Sequence, residues 1–117
     1  MKAKRRSIQL LKQNLSPTQL EQYERLGHFE VIGGRSGLRY RIRHGYQMNV
    51  ERLDKNGKRA CLLCFMPQGR LPYGDVMLAQ KIALELFENE AIQVANKMLP
   101  MDYFLDMELQ EHRRNRW

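Results

Sequence analysis

The residues with the clearest chemical potential are four arginines in the first half of the chain. Arg35 comes first, followed by Arg39, Arg41 and Arg43. These last three alternate along the chain with the apolar residues Leu38, Tyr40 and Ile42. If residues 38–44 form a β-strand, successive side chains point to opposite faces, so the arginines share one face. Guanidinium groups bind phosphate and carboxylate oxygens in a bidentate geometry. The pattern therefore predicts a surface for an anionic partner.

Net charge supports a cationic surface in one part of the chain. The 117 residues carry a formal charge of +7. Residues 1–70 hold 15 Lys or Arg against 5 Asp or Glu, whereas residues 71–117 hold 5 against 8. A basic half is typical of proteins that bind nucleic acid, an anionic surface or an acidic protein, although charge that serves only solubility is the alternative.

Acidic neighbours decide whether these arginines remain available. Glu30 and Glu51 lie in the adjacent predicted strands and could pair with one or two of them, which would leave an ordinary sheet surface. Arg52, Lys58 and Arg59 add positive charge nearby, so we expect a surplus. The predicted nucleic-acid-binding residues are Arg35, Arg39, Arg41, Arg43 and Arg59, with Lys4, Arg5 and Arg6 as flexible helpers.

The cysteines have the spacing of half a zinc site. Cys61 and Cys64 form a C-x-x-C pair, but a structural zinc site needs four ligands, and His28, His44 and His112 are scattered. We expect buried free thiols and no metal, since cysteine is often buried in this way.

A glycine-rich segment at residues 33–37 matches neither a Walker loop nor a dinucleotide fingerprint. We interpret it as a tight turn, with an anion-binding nest of backbone amides as the alternative. No spacing of serine, histidine and carboxylate brings a nucleophile and a base together. The sequence therefore predicts a non-enzymatic protein without a cofactor.

Helices are predicted at both ends of the chain. Residues 2–15 are basic and partly amphipathic, and Ser16 with Gln19 forms a capping box for a second helix that Gly27 ends. Asp75 is expected to cap the longest helix, residues 76–97, with Glu85, Glu88 and Glu90 on its solvent side. A short helix is expected over residues 101–110.

Strands are predicted between these helices, at residues 28–32, 38–44, 46–53 and 59–66. Asn56–Gly57 favours a type I′ hairpin between the last two. The fourth strand is apolar on both faces, so we expect it in the centre of the sheet, covered by helices. The predicted fold is α+β, with N-terminal helices, a four-stranded antiparallel meander and a long C-terminal helix packed on the sheet.

The length of 117 residues predicts a single domain, with residues 1–6 and 112–117 as flexible basic ends. No signal-peptide pattern is visible, and no apolar run approaches the roughly 18 residues of a membrane span. We therefore expect a cytoplasmic protein without membrane contact.

Two groups of residues resemble known families. Phe29–Glu30–Val31, Tyr40–Arg41–Ile42–Arg43, and Leu78–Ala79–Gln80–Lys81 belong to a stretch, roughly residues 16–97, that resembles small uncharacterised bacterial and phage-associated proteins. That resemblance implies the strand–loop–helix order and supplies no catalytic residues. The cysteines and the following loop and helix are similar to the SWIM-type domain, whose modules bind DNA or proteins. Its C-x-C and C-x-H ligands are not matched here, because Gln80 and Lys81 stand where a ligand pair would be needed.

The sequence thus leads to two functional hypotheses. The first is a small basic module that binds DNA or RNA through phosphate contacts on an arginine-rich sheet face. The alternative is a protein-interaction or assembly component, phage-related by resemblance, whose basic face binds an acidic protein. In that case the acidic C-terminal helix of one copy could meet the arginines of another and form a homo-oligomer.

Overall fold

The computed structural model describes residues 2–45, 48–65 and 71–95. These residues form four helices and four strands, an α+β fold. The elements are α1 (Lys2–Gln13), α2 (Pro17–Leu26), β1 (His28–Ile32), β2 (Arg39–Arg43), β3 (Val50–Leu53), β4 (Arg59–Leu63), α3 (Tyr73–Leu86) and α4 (Glu88–Ala95).

The four strands form an antiparallel meander in the order β1-β2-β3-β4, as predicted. The prediction of a central fourth strand is wrong, because β4 pairs with β3 at the end of this order. Its side chains agree with an edge position, since Arg59 and Ala60 are exposed. Short connections place consecutive strands side by side, and the last strand of a meander then lies at the edge whatever its composition.

One face of the sheet, called the inner face, packs on the helices. α3 contacts β1 and β2 across this face, α1 packs against α3, and α2 lies along β1. The period of two predicts which strand residues point inward, and Phe29, Val31, Tyr40 and Ile42 are all buried. The largest fully buried side chains of this core are Tyr40, Phe29, Phe65, Leu11, Ile42, Met77 and Leu84.

The ends of α2 match the sequence prediction. The Ser16 hydroxyl accepts from the Gln19 amide at 3.1 Å, and the Gln19 side chain accepts from the Ser16 amide at 3.0 Å. Gly27 ends the helix in the left-handed region at φ 75°. Both signals are local, because each depends on residues within four positions of one another.

The β3–β4 hairpin differs from the predicted type I′ turn. Gly57 has φ 78°, but Met48 is the only described non-glycine residue with positive φ, so Asn56 lacks the conformation that type I′ requires. The Asp54 carboxylate instead accepts from the amides of Asn56 at 2.8 Å and Lys58 at 3.0 Å. The result is a three-residue loop with glycine at the left-handed position.

The start of α3 also differs from the prediction. The helix begins at Tyr73, and the preceding Pro72 makes no side-chain capping bond. Asp75 lies within the first turn, where its carboxylate still complements the helix dipole. The hydroxyl of Ser7, on α1, accepts from the Asp75 amide at 2.8 Å. A side chain from another helix therefore supplies the capping bond, which no local pattern around residue 75 indicates.

Replacing Ser7 with alanine should lower the free energy of unfolding by about 1 kcal/mol, the usual effect of losing a capping bond. Ser7 is 4% exposed, so water does not easily replace the hydroxyl at the Asp75 amide. Urea unfolding measures this change. Gln9→Ala is the control on the exposed side of α1 and should stay within about 0.5 kcal/mol. Equal effects of the two changes would contradict the capping role.

The C-terminal helix is not continuous over the described residues. α3 ends at Leu86, Phe87 has φ −134° and ψ 44°, and α4 begins at Glu88. The single helix predicted over residues 76–97 is therefore wrong within residues 76–95. The short helix predicted at residues 101–110 lies outside the described residues.

A buried pair of amide side chains joins the sheet to α3. Asn49 donates to the Gln80 side-chain oxygen at 2.8 Å, and Gln80 donates to the Asn49 side-chain oxygen at 2.9 Å. Asn49 also donates to the Arg43 carbonyl at 3.0 Å. Gln80 is fully buried, so this reciprocal pair satisfies groups that would otherwise destabilise the core. It fixes the end of β2 that carries Arg43 relative to α3.

Candidate nucleic-acid interface

The arginines of β2 lie on the face of the sheet opposite the inner face. Arg39, Arg41 and Arg43 alternate with the buried Tyr40 and Ile42, as the period of two predicts. Leu38 precedes the strand and is 43% exposed, so the alternation begins one residue later than expected. The exposed fractions of the three arginine side chains are 42%, 19% and 50%, respectively.

Glu30 pairs with one end of this row. Strand register places Glu30 of β1 opposite Arg41, but its carboxylate reaches diagonally to Arg39. Arg39 Nε donates to Glu30 Oε1 at 2.9 Å, and Arg39 Nη2 lies 2.8 Å from the same oxygen. With the arginine side chain 42% exposed, this pair contributes little to stability, but it restricts where the guanidinium points.

Glu51 of β3 is the centre of a larger charge cluster. Register places it opposite Arg41, and its side chain is only 6% exposed. Arg43 Nε donates to Glu51 Oε1 at 2.7 Å, Arg41 Nη1 lies 3.6 Å from the same oxygen, and Arg59 Nε lies 3.7 Å from Oε2. Three guanidinium groups from β2 and β4 thus converge on one carboxylate.

We call the surface formed by these side chains the outer arginine face. It consists of Arg39, Arg41, Arg43 and Arg59 with Glu30 and Glu51. Each of the four arginines has a carboxylate within 4 Å, whereas the sequence suggested ion pairs for only one or two of them. Two carboxylates for four guanidinium groups still leave two positive charges on this described surface.

The electrostatic surroundings of His28 agree with this surplus. His28 lies on β1, opposite Arg43 in the register. Burial lowers the pKa of His28 below its usual value, and the nearby Arg41 and Arg43 lower it further, against smaller opposing effects of Glu30 and Glu51. Positive charge thus outweighs negative charge at this imidazole.

The other predicted site residues lie elsewhere. Arg35 is in the β1–β2 turn, beside a cavity of about 440 Å³ at the junction of α3 and α4. Lys4, Arg5 and Arg6 are exposed residues of helix α1, which packs against α3 on the inner side of the sheet. The structure therefore brings together four of the eight predicted residues and separates the other four from them.

Lys4 and His44 lie around Tyr73. The Lys4 ammonium is 5.8 Å from the centre of the Tyr73 ring, and the His44 ring meets Tyr73 edge-on at 5.3 Å. His44 follows Arg43 directly, and its Nδ1 is 2.9 Å from the Tyr23 hydroxyl. A pocket that unites a histidine with Asp75 and an arginine would have favoured an enzyme. The described cavity beside His44 contains neither an aspartate nor an arginine, being lined by Ile8, Lys12, Tyr23, Glu24, Gly27 and His44.

The glycine-rich turn at residues 33–37 surrounds a carboxylate of the same chain. Glu88 Oε1 accepts from the backbone amides of Arg35 at 3.0 Å and Ser36 at 2.8 Å. Glu88 Oε2 accepts from the Ser36 hydroxyl at 2.5 Å and the Tyr40 hydroxyl at 2.7 Å. We call these four donors the Glu88 cradle. The turn therefore binds an anion through its backbone amides, as in the nest alternative. The anion is the Glu88 carboxylate of α4 in the same chain.

Burial and hydrogen bonding have opposite effects on this carboxyl group. Glu88 is 5% exposed, and burial alone would raise its pKa. Hydrogen bonds from Ser36, Tyr40 and Arg35 outweigh that effect, so the pKa of Glu88 is lowered. Burial and the bond to Glu88 both raise the pKa of Tyr40, which keeps its hydroxyl proton available for donation.

Of the three glutamates predicted to face solvent, Glu90 is exposed, but Glu85 and Glu88 are not. Glu88 is enclosed in its cradle, and Glu85 is half-buried, where it accepts from Gln19 at 3.3 Å and from Lys81 at 2.5 Å. Sequence reasoning missed the cradle because its two halves are about fifty positions apart. The signal that existed was the pair of glycines with Ser36, which is typical of a turn that presents amides to an anion.

The cysteines take no part in either charge cluster. Cys61 and Cys64 are free thiols, but they are only partly buried, so the expected burial is incomplete. Within the described residues, no three His, Cys, Asp or Glu side chains are grouped to hold a metal ion. None of the described helices is long and apolar enough to cross a membrane.

Comparisons of the chain with protein-family models, with curated proteins and with solved structures gave no match. Function must therefore be inferred from the chemistry of the outer arginine face and of the Glu88 cradle.

Proposed function

We propose that this protein is a small non-enzymatic module that binds nucleic acid through phosphate contacts on the outer arginine face. The observation that carries the proposal is the presence of four guanidinium groups and two carboxylates on one sheet face. Arg39, Arg43 and Arg59 are each at least 42% exposed, so a phosphate can approach them from solvent. Their ion pairs hold them in place, which reduces the entropy lost when a ligand binds.

The side chains of this face indicate how it would contact nucleic acid. The aromatic residues of the described strands, Phe29 and Tyr40, are buried on the inner face. Single-strand binding modules stack bases on exposed aromatic rings, and the described strands offer none of the Phe, Tyr or Trp rings used for this. Phosphate contacts alone favour a target of high charge density and tolerate any sequence. We therefore propose duplex DNA of mixed sequence as the suitable probe.

Docking of an acidic helix from a second copy has less support. That alternative needs exposed glutamates on the C-terminal helices, but Glu85 and Glu88 bind groups within their own chain. Of the glutamates in α3 and α4, Glu90 is the exposed one. Within the described part of the C-terminal region, this single exposed glutamate does not match the four arginines of the outer arginine face.

The expected result is DNA binding with a strong dependence on salt. About four phosphate contacts would weaken binding roughly a hundredfold between about 50 and 200 mM salt. Arg59→Gln removes one exposed charge and should reduce the slope of log affinity against log salt by about 1. Fluorescence anisotropy of a labelled mixed-sequence duplex measures both quantities.

Arg25→Gln is the matched control, because it removes one charge from an exposed position of α2. It should leave the salt slope unchanged, and Arg39→Gln should behave like Arg59→Gln. An equal decrease in the salt slope for Arg25→Gln and Arg59→Gln would show that net charge alone, and not the outer arginine face, determines DNA binding. Failure of the wild-type protein to bind the duplex at low salt would overturn the proposed function.

A further inference from the structure

The outer arginine face contains a negative charge at its most enclosed point. The Glu51 carboxylate is 6% exposed and lies between β2 and β4, while the Arg43 and Arg59 side chains above it are 50% and 57% exposed. Any anion that binds these two arginines from solvent must therefore share them with Glu51. Glu51 is thus placed to affect anion binding at Arg43 and Arg59 from a position that solvent hardly reaches.

The cluster has more donors than its carboxylate can satisfy. Only Arg43 approaches Glu51 within hydrogen-bonding distance, at 2.7 Å, whereas the contacts of Arg41 and Arg59 are 3.6 and 3.7 Å. Arg41 donates to the Gly57 carbonyl at 3.2 Å, but its Nε is buried without a partner. Buried donors without a partner are uncommon, so the guanidinium groups of this cluster retain unused hydrogen-bonding capacity. A phosphate group offers several acceptor oxygens together with negative charge.

We propose that Glu51 is the internal counter-ion of a phosphodiester site formed by Arg41, Arg43 and Arg59, and that it limits the affinity of this site. This inference rests on the proposed function and assigns a role to a residue that does not itself bind the ligand. Without nucleic acid, the carboxylate holds the three guanidinium groups together against their mutual repulsion. With nucleic acid, it repels the phosphate that Arg43 and Arg59 attract, so binding stays reversible.

Glu51→Gln tests this role, because the amide keeps the shape of the side chain and removes its charge. We expect duplex DNA to bind roughly tenfold more tightly, with a salt slope steeper by about 1, since one further guanidinium charge becomes available to phosphate. Glu24→Gln is the control. Glu24 is an exposed residue of α2 that pairs with Lys12 at 3.5 Å, and its replacement changes the net charge equally.

Glu24→Gln should change DNA affinity by less than about twofold, because Glu24 is an exposed residue that pairs with Lys12 and not with an arginine of the phosphate site. An unchanged or weaker affinity of Glu51→Gln would overturn the inference. So would an equal gain in the Glu24→Gln control.

A second measurement separates this inference from the proposed function and does not use DNA. Inorganic phosphate should raise the melting temperature of Glu51→Gln by several degrees more than that of the wild type, since a ligand that binds only the folded state stabilises it. Equal shifts in the two proteins would overturn the inference. If the wild type fails to bind DNA while the variant still responds to phosphate, the proposed function fails and the counter-ion role stands.

Discussion

Replacing Gly34 with alanine is expected to lower the free energy of unfolding by about 3 kcal/mol or more, because a new methyl group would overlap backbone atoms. A Cβ at this position would lie 1.9 Å from the carbonyl oxygen of Glu85 and 2.9 Å from its carbonyl carbon. The Gly34 amide donates to the Leu84 carbonyl at 3.1 Å, so the turn cannot move away from α3 without losing this bond. Chemical denaturation measures the change.

Gly37→Ala is the control that separates lack of space from backbone strain. Gly37 has φ +74°, and nothing lies within 4 Å of a Cβ placed there. Its replacement should destabilise the fold by only about 1–2 kcal/mol, the usual penalty for alanine in the left-handed region. The decrease in the free energy of unfolding must be clearly larger for Gly34→Ala than for Gly37→Ala. If the two variants are equally stable, the close approach of the turn to α3 is not a determinant of the fold.

The contact between Gly34 and α3 joins residues about fifty positions apart in the chain. Parts of the fold that depend on such distant neighbours could not be predicted from the sequence, whereas parts that depend on near neighbours could. The capping box at Ser16 and the strand at residues 28–32 depend on neighbours within a few positions, and both are confirmed. The interruption at Phe87 could not be predicted, because the apolar pattern of residues 76–95 continues through it. The next residue, Glu88, binds the β1–β2 turn, about fifty residues earlier in the chain.

The errors in the sheet have a similar origin. Asn56–Gly57 favours a type I′ turn on its own, but the Asp54 side chain binds two amides of the loop and stabilises another conformation. The composition of β4 suggested a central strand, whereas the chain connectivity places it at the edge. In both cases an interaction beyond the local pattern decided the structure.

The candidate site was predictable in outline. Alternation alone places Arg39, Arg41 and Arg43 on one face, but it cannot specify the register that brings Glu51 between β2 and β4. Arg35 shares the residue type and the proximity in sequence, yet it belongs to a turn that binds Glu88. Charge composition therefore predicted a cationic face, whereas strand pairing determined which arginines form it.

The second large effect is expected at Glu88. Glu88→Gln should lower the free energy of unfolding at neutral pH by about 3 kcal/mol, because removing a buried acceptor leaves donors without partners. If the amide oxygen faces the two backbone amides, the NH₂ group faces the Ser36 and Tyr40 hydroxyls, which then lose the acceptor to which they donate. Tyr40→Phe removes one of the four donors and should destabilise the fold by about 1.5 kcal/mol.

Glu90→Gln is the matched control for this change. Both glutamates lie in the first turn of α4, where a carboxylate stabilises the helix through its dipole, so the helix loses the same charge in both variants. Glu90 is exposed and Glu88 is buried, so the difference between the variants isolates the cradle. If Glu90→Gln destabilises the fold as much as Glu88→Gln, the four hydrogen bonds contribute nothing beyond the dipole effect.

The pH dependence of stability provides a further test of the same carboxylate. Hydrogen bonds lower the pKa of Glu88 below its ordinary value of 4.5, against the effect of burial, so the folded state favours the ionised form. Its contribution to stability is therefore complete above about pH 5 and disappears as the pH falls through the folded-state pKa. The difference in unfolding free energy between wild type and Glu88→Gln should narrow in urea titrations toward about pH 3. A difference that stays constant down to that pH would show that the cradle does not bind Glu88 as a carboxylate.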